Sequence, residues 1–419
     1  MGGAPLIAAV RSGRAKVVKA LLAEGADPNS VDEHGTPALC LAVDAFDLPV
    51  IDELTMSERP VHLDQPGADG RSPLLRAVDL GACEITSVLV CAGADPGFTD
   101  PEGRNALELA RHWHRTGPET ELRRRSGGAS EPMVRKAAVD GWGNVCEELS
   151  LGGLTVRNGH TALLTELEPR YGIKPDFEEL MGRALAEPDV EQPVWVATTL
   201  ALQARRATDV WPRAVALRAR PNPLERYCGA EVIRLIHLFD ESFTEDEHSA
   251  FDVPLVDLFL PWAATEEDPR VMRALAAGLS QAMDPRARQP LLALTRHTDR
   301  EVRLWALSGL HEPVAQGIPE ALAAVVTCTR DADALVRAGA CRAVARAAPD
   351  SPAPSNALAA RLHDEVEAVR VTAAIQLFLR DDPRGDGVLR DLEPVDEDSP
   401  YFGDFHAVRY HHRAPSPVK

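Results

Sequence analysis

One short pattern recurs along the N-terminal part of this 419-residue chain, a glycine followed four residues later by a leucine. It stands at Gly2–Leu6, Gly35–Leu39, Gly70–Leu74 and Gly103–Leu107, at intervals of 33, 35 and 33 residues. An alanine follows each leucine by three residues, so both side chains share one face of a helix. A period near 33 residues predicts a stack of small units that contact only their neighbours.

The residues around this pattern predict how each helix begins and ends. Ser72-Pro73 supplies an N-cap hydroxyl and a proline at the first helical position. The sequence Gly-Ala-Asp-Pro occurs twice, starting at Gly25 and at Gly93. There the glycine can end a second helix in the left-handed conformation, and the proline prevents that helix from resuming. We therefore expect helix–turn–helix units joined by projecting turns.

These motifs resemble the ankyrin repeat, in the order G-x-[TS]-P-L, A, G and LL-x-x-GAD. The resemblance covers residues 1–115 as four clear units, and it implies paired helices joined by protruding β-turns, here called fingers. The second unit departs from the pattern, because Phe46 stands where glycine is expected and LTMSERPVHLDQPG replaces the GAD turn. We interpret residues 116–187 as two degenerate ankyrin-like units and a junction.

Within that degenerate part, Ala137, Gly141 and Gly153 have the spacing of the alanine and the two glycines of the first unit. The segment GHTAL, residues 159–163, then restarts the pattern. Residues 123–128, RRRSGG, are typical of an exposed loop. The sequence thus predicts helices on both sides of that loop.

A second pattern with a similar period follows in the C-terminal half. Val-Arg pairs stand at residues 302–303, 336–337 and 369–370, and aliphatic residues follow each valine by four and eight positions. Such a stripe is typical of a buried helix seam, and Asp299 and Asp333 lie three residues before it at N-cap positions. The segments resemble HEAT repeats over residues 188–385. This resemblance implies a ladder of Asp–Arg ion pairs between successive units.

The fold class is therefore predicted to be all-α, a helical-repeat solenoid of ankyrin repeats followed by HEAT-like repeats. Residues 386–419 differ in composition and end in the aromatic stretch YFGDFHAVRYHHR. We interpret them as a capping segment for the last helix pair or a flexible tail, with a peptide docking motif as a third interpretation.

The net charge limits the kinds of partner that the chain can bind. The formal net charge of −19 opposes binding to a phosphate backbone, so no nucleic-acid partner is expected. Between Leu235 and Pro269 there is no lysine or arginine but there are ten carboxylates. That stretch is either a solvated surface or a docking patch for a basic protein.

Composition also indicates a compartment and a source. The seven cysteines are scattered through apolar runs, as buried thiols in a reducing compartment are. No apolar run is long enough to span a membrane, so we expect a cytoplasmic protein without a membrane partner. The excess of arginine over lysine and the abundant alanine are typical of a high-GC bacterium, such as an actinobacterium.

The sequence carries no recognisable catalytic motif, whether phosphate loop, nucleophile elbow or zinc-binding helix. Asp404, His406, His411 and His412 lack the paired spacing of metal ligands. We predict no catalytic residue, no cofactor and no metal.

The primary functional hypothesis is a monomeric, non-catalytic adaptor that binds another protein on a concave surface. The first alternative is a HEAT-like enzyme or maturation factor. HEAT-like folds include bilin lyases and DNA glycosylases, and the acidic charge opposes the latter. The second alternative is a solenoid that assembles with itself.

The ankyrin resemblance implies that finger and first-helix residues face the partner. The candidates are Arg11, Ser12, Glu33, His34, Thr36, Asp44, Arg71, Asp79, Glu102, Arg104, His112 and Trp113. Trp113 is the leading candidate, because tryptophan is enriched among binding hot spots, although it could instead cover the join to the degenerate units. The HEAT-like part adds four candidates, of which the first could instead pack between units: Trp305, Ser308, Arg342 and Gln376.

Overall fold

The computed structural model describes residues 3–127, 131–141, 143–240, 249–348, 351–392, 395, 399 and 401–403. The chain divides into two compact units, Met1–Arg206 and Ala207–Lys419. In the part that the structure describes, no helix is long and apolar enough to cross a membrane.

The first unit begins with helix pairs stacked in two rows. In chain order the helices are α1 (Gly3–Arg11), α2 (Ala15–Ala23), α3 (Ala38–Asp44), α4 (Leu48–Thr55), α5 (Pro73–Asp79), α6 (Cys83–Ala92) and α7 (Ala106–Thr116). The first row consists of α1, α3, α5 and α7, each packed on the next, and α2, α4 and α6 form the second row. Leucine and alanine of the repeated pattern are buried in all four pairs, as predicted.

The predicted helix ends are confirmed. Ser72 caps α5 by accepting the backbone N–H of Leu75, and Gly93 ends α6 in the left-handed conformation, with φ of 106°. Phe46 stands in a turn where Gly13 and Gly81 have φ of 64° and 69°, and it adopts the same conformation with φ of 55°. The second unit lacks the glycine of the pattern but keeps the same turn, in which a residue with a side chain is strained.

Residues 118–157 differ from the prediction. They form α8 (Pro118–Arg125) and an antiparallel sheet of β1 (Val134–Val139), β2 (Val145–Leu151) and β3 (Leu154–Arg157), in the order β1-β2-β3. The prediction of an ankyrin-like helix pair around Ala137, Gly141 and Gly153 is therefore wrong. Gly153 instead forms, with Gly152, a two-residue hairpin turn in which both residues have positive φ, and Leu149 and Leu151 are buried on one face of β2 while Cys146 is buried on the other. We call residues 118–157 the insert.

The turn between β1 and β2 repeats the local geometry of a finger. Asp140 accepts the backbone N–H of Asn144 at 2.7 Å, as Asp32 accepts that of Thr36 at 2.8 Å. The flanking pair Val139–Val145 corresponds to the bridge between Val31 and Pro37 beside Asp32. The hairpin is therefore an elongated counterpart of a finger.

The sequence suggested that the segment GHTAL starts a new unit, but in the structure it does not. It begins α9 (His160–Leu167), which continues as a 3-10 helix to Tyr171 and packs on α7 and on α6. Gly172 then has φ of 72°, and the N–H of Ile173 bonds to the carbonyl of Glu168, as the N–H of Ala94 bonds to Leu89 after α6. Helix α9 is therefore the second helix of the fourth pair, and the insert separates it from α7.

Two further helices complete the first unit, α10 (Phe177–Leu185) and α11 (Pro193–Gln203). Helix α11 packs on both α9 and α10. For this reason α11 belongs to the first unit, although the sequence interpretation placed the start of the second array at residue 188.

The second unit consists of stacked helices throughout its described residues. They are α12 (Ala207–Ala216), α13 (Pro223–Leu238), α14 (Asp252–Ala263), α15 (Pro269–Gln281), α16 (Arg288–Leu294), α17 (Arg300–Gly309), α18 (His311–Ala315), α19 (Pro319–Cys328), α20 (Ala334–Val344), α21 (Pro352–Ala359), α22 (Glu367–Phe378) and α23 (Asp386–Asp391). Helices α13, α15, α17, α20 and α22 contact one another in that order. The predicted stripe is buried in α17, α20 and α22, and Asp299 and Asp333 are N-caps.

The ladder of ion pairs in this unit has the expected geometry. Arg273 of α15 binds Asp299 before α17 at 2.7 Å, and Arg303 of α17 binds Asp331 before α20 at 2.9 Å. Arg337 of α20 binds the buried Asp364 before α22 at 2.8 Å. Each pair ties one stacked helix to the start of the next. At the end of the stack Tyr401 packs against the cluster around Ile375, while most of the predicted capping tail lies outside the described residues.

Candidate protein-binding surface

The first-row helices present an equivalent position in each pair, five residues after the repeated leucine. It holds Arg11, Asp44, Asp79 and His112. The side chains of Arg11 and Asp44 are 43% and 42% exposed, that of His112 is 34% exposed, and that of Asp79 is only 10% exposed. The predicted binding face is therefore divided into an open half, in the first two pairs, and a covered half, in the third and fourth pairs.

In the open half, ion pairs link the first helix to the fingers. Arg11 binds Asp32 at 2.7 Å and Glu33 at 3.1 Å, and the hydrogen bond from the backbone N–H of Thr36 lowers the pKa of Asp32. Glu33 and His34 at the finger tip expose 61% and 75% of their side chains. These groups are positioned by the fold and still accessible to a partner.

The remaining candidates of the open half flank this finger. Ser12 is exposed and donates its hydroxyl hydrogen to the carbonyl of Ala8 at 2.8 Å, while Thr36 is half-buried. Asp44 binds Arg76 at 2.6 Å, and Arg76 also binds Asp69 at 2.5 Å. The open half and the adjoining start of the third pair thus present three exposed carboxylates, of Glu33, Asp44 and Asp69, and the guanidinium group of Arg11, whereas Asp32 and Arg76 expose only 3% and 14% of their side chains.

In the covered half, the C-terminal end of α8 lies against the first-row helices. Arg125 donates two hydrogen bonds to Asp79, at 2.6 and 2.8 Å, and its guanidinium lies 4.6 Å from the ring centre of Trp113. Arg71 also binds Asp79, at 2.8 Å. Burial by itself would raise the pKa of Asp79, but these bonds hold it below its ordinary value.

Trp113 is fully buried, so its prediction as an exposed hot spot is wrong. Its Nε1 donates to Asp79 at 2.8 Å, and its ring stacks on His160 of α9 at 4.3 Å. Burial lowers the pKa of His160 to about 4, so the ring that stacks on Trp113 is neutral. Trp113 covers the join to the following residues, which was the alternative interpretation of this side chain.

Glu121 connects α8 to α7 through His112. It accepts hydrogen bonds from Arg124 and Arg125 of its own helix at 2.5 to 2.7 Å, and Nε2 of His112 in α7 lies 3.2 Å away. Although burial alone would raise it, these contacts lower the pKa of Glu121 to about 2. His112 and Asp79 are therefore committed to the insert.

Sequence reasoning missed Glu121 and Arg125, because it assigned residues 123–128 to an exposed loop. Two signals could have located α8: Pro118 at a first helical position and carboxylates at 119 and 121 placed four residues before arginines. Neither signal could identify Asp79, which is 46 residues from Arg125, as the partner.

Other candidates lie outside both halves of this face. Arg104 binds Asp100 within its own finger at 2.7 Å and Glu102 at 3.2 Å. In the second unit Arg342 and Ser308 are exposed, while Trp305 and Gln376 are half-buried. In the described part of the chain no His, Cys, Asp and Glu side chains cluster as metal ligands would, and residues 404–412 lie outside that part.

Stacked helix pairs with projecting fingers define a helical-repeat protein, and the predicted fold class is confirmed. Residues 6–100 match a family described as ankyrin repeats (3 copies). Over 105 residues the chain is 34% identical to neurogenic locus notch homolog protein 2 of Homo sapiens, covering 25% of this chain and 4% of that protein. Over 112 residues it is 34% identical to neurogenic locus notch homolog protein 1 of Xenopus tropicalis, covering 27% of this chain and 4% of that protein. The similarity therefore concerns the repeats alone.

Proposed function

We propose that the chain is a non-catalytic adaptor that binds another protein on the open half of its ankyrin face. Ankyrin repeats are modules of protein–protein interaction, which supports the general class. The observation that carries the location is the contrast in exposure at one repeat position, between Arg11 and Asp44 on one side and Asp79 on the other. A partner can reach only what the insert leaves uncovered.

The chemistry of the open half supports a basic partner. Three exposed carboxylates, of Glu33, Asp44 and Asp69, stand beside one exposed guanidinium group, that of Arg11, and Glu33 and His34 have the most exposed side chains of the set. Complementary charge would speed association and fix the register of the complex more than it would raise affinity. The binding residues proposed here are Arg11, Ser12, Glu33, His34, Thr36 and Asp44.

The test compares two charge reversals in affinity purification from the native host. The first variant carries Glu33→Lys and Asp44→Lys in the open half. The matched control carries Glu24→Lys and Glu58→Lys, at two exposed positions that follow the second-row helices α2 and α4. We expect partners quantified by mass spectrometry to be lost from the first variant and retained by the control. Partners retained by both variants would contradict the location, and a wild-type chain without partners would contradict the adaptor function.

We further propose that the second unit is a HEAT-like array with its own binding residues, Trp305 and Arg342. The Asp–Arg ladder and the stacked helices α13, α15, α17, α20 and α22 support this interpretation. Replacing both residues with alanine in the purification above would show whether this array binds a partner.

A bacterial, cytoplasmic and monomeric protein remains our proposal for the setting. All seven cysteines are free and six are buried, with burial raising the pKa of Cys40, Cys228 and Cys341 to about 12. Such thiols are compatible with a reducing compartment.

A further inference from the structure

A cleft lies along the second row of helices at the pair that contains the insert. Helices α2, α4, α6 and α9 pack on one another in that order, and residues of α6 and α9 line the cleft, which has a volume of 390 Å³. Helix α11 and the turn between β1 and β2 close its other sides. All these elements belong to the first unit, so the cleft is framed by the same helices that carry the repeats.

The walls of the cleft are mainly aliphatic. Val90 of α6 faces Val196, Ala197 and Leu200 of α11. Val196 and Leu200, one helical turn apart, are 48% and 39% exposed although their neighbours on α11 are buried. Small-ligand sites have this character, a concave and mostly apolar cavity of about 300 to 1,000 Å³ with few polar groups.

Two polar groups of the cleft make few contacts. The hydroxyl of Thr86 is buried, with the residue 2% exposed, and has no hydrogen-bond partner among the described residues. The carboxyl group of Glu166, whose side chain is exposed, accepts one hydrogen bond, from Ser87 at 3.3 Å, and forms no ion pair in that part of the chain. The buried Thr86 hydroxyl without a partner is costly, and a ligand can supply the missing bond.

The surroundings of Glu166 favour a positively charged ligand. Desolvation by the surrounding protein raises the pKa of this exposed carboxyl group to about 7, and Ser87 and Arg170 oppose the effect. The other carboxylate of the lining, Asp140, is engaged with Asn144 in the hairpin turn. A cation placed beside Glu166 would favour the charged form of a carboxylate that has no ion pair among the described residues, although the guanidinium of Arg170 also lines the cleft.

We propose that this cleft binds a small ligand with an apolar body and a single cationic nitrogen, that is, an amine. The nitrogen donates to the Glu166 carboxylate and to the hydroxyl oxygen of Thr86, and the apolar body covers Val90, Val196 and Leu200. This inference is independent of the adaptor function, because the cleft lies on the second row and the proposed binding residues lie on the first row and its fingers.

The test is calorimetric titration of the full chain at pH 8 with 2-phenylethylamine and with its neutral isostere 2-phenylethanol. We expect the amine to bind at least about tenfold more tightly than the alcohol, the usual effect of one charge-assisted bond. In the Glu166→Gln variant the amine should bind no better than the alcohol. In the control Glu24→Gln, with the same change of charge outside the cleft, both affinities should stay unchanged.

Three results would overturn the proposal. They are equal affinity of the wild type for amine and alcohol, undiminished amine binding in Glu166→Gln, and no binding of either probe. A Leu200→Ser variant checks the apolar wall and should weaken both probes. Retained partner binding by Glu166→Gln in the purification experiment would keep the two functions distinguishable.

Discussion

The open and covered halves of the ankyrin face use the same repeat position for different purposes. Asp44 in the open half has a 42% exposed side chain and shares Arg76 with Asp69. Asp79, 35 residues later, is enclosed by Arg71, Trp113 and Arg125. The repeat thus determines where a side chain starts, while the insert determines whether it meets solvent or protein.

The largest expected effect on stability is the difference between the Asp79→Ala and Asp44→Ala variants. Asp79→Ala removes the acceptor of the buried Trp113 Nε1 and leaves the half-buried Arg125 with Glu121 alone, and we expect a loss of about 2 to 3 kcal/mol in the free energy of unfolding. Asp44→Ala should cost less than about 1 kcal/mol, because an exposed pair contributes little. Hydrogen exchange of the first unit, followed by mass spectrometry, measures both. Equal losses would show that the insert does not distinguish the halves.

Acid should release the cover through Glu121. Its pKa is about 2 in the folded protein, below the ordinary value of a glutamate, so its contribution is present above the ordinary value and is lost as the pH falls toward 2. We expect amide protection in α8 to fall between about pH 5 and pH 2 in the wild type. In Glu121→Gln the protection should already be low at pH 5 and change little. A wild-type profile as flat as that of the variant would contradict this role.

The insert also contacts the turn at Phe46, whose left-handed conformation can be tested. Arg157 at the end of β3 lies over the Phe46 ring at 4.3 Å and also binds the buried Glu84. Phe46→Gly and Phe46→Ala both remove this contact, but only alanine keeps the strain of a positive φ. We expect the free energy of unfolding, measured by urea denaturation, to be about 1 kcal/mol higher for the glycine variant than for the alanine variant. The reverse order would mean that the turn is not left-handed.

The smallest expected effect concerns Glu166 in the unliganded protein. Because its folded pKa of about 7 lies above the ordinary value, ionisation destabilises the fold as the pH rises toward 7 and beyond. The Glu166→Gln variant should melt about 2 °C higher than the wild type at pH 8, and at the same temperature at pH 4. A difference that is the same at both pH values would point to packing and not to charge.

Local signals predicted much of the fold. The stacked pairs, the caps at Ser72 and Asp299, and the Asp–Arg ladder all follow from residues within one repeat or its neighbour. The insert was missed partly through a misread signal, since Gly152-Gly153 between alternating strands is typical of a hairpin, and it was interpreted as a helix end.

The rest could not be read from the chain, because it depends on contacts between distant segments. Arg157 and Glu84 are 73 residues apart, and Arg125 and Asp79 are 46 apart. Nothing in the spacing of either pair identifies the partner. For the same reason the sequence could not decide whether Trp113 is buried. It also could not show which half of the binding face is exposed.

The placement of the insert between α7 and α9 also bears on the order of assembly. The first three pairs close over turns of a few residues, whereas the fourth must bring its helices together across residues 117–159. Closing so long a loop costs roughly 2 kcal/mol more than closing a tight turn, and contacts of high sequence separation form slowly. At Gly81 a Cβ would collide with the carbonyl oxygen of Arg157, so the end of the sheet lies directly against the turn of the third pair. The fourth pair, and α11 packed upon it, would then form last, so a chain emerging from the ribosome would expose the unfinished edge of α6 until residue 203 had been made.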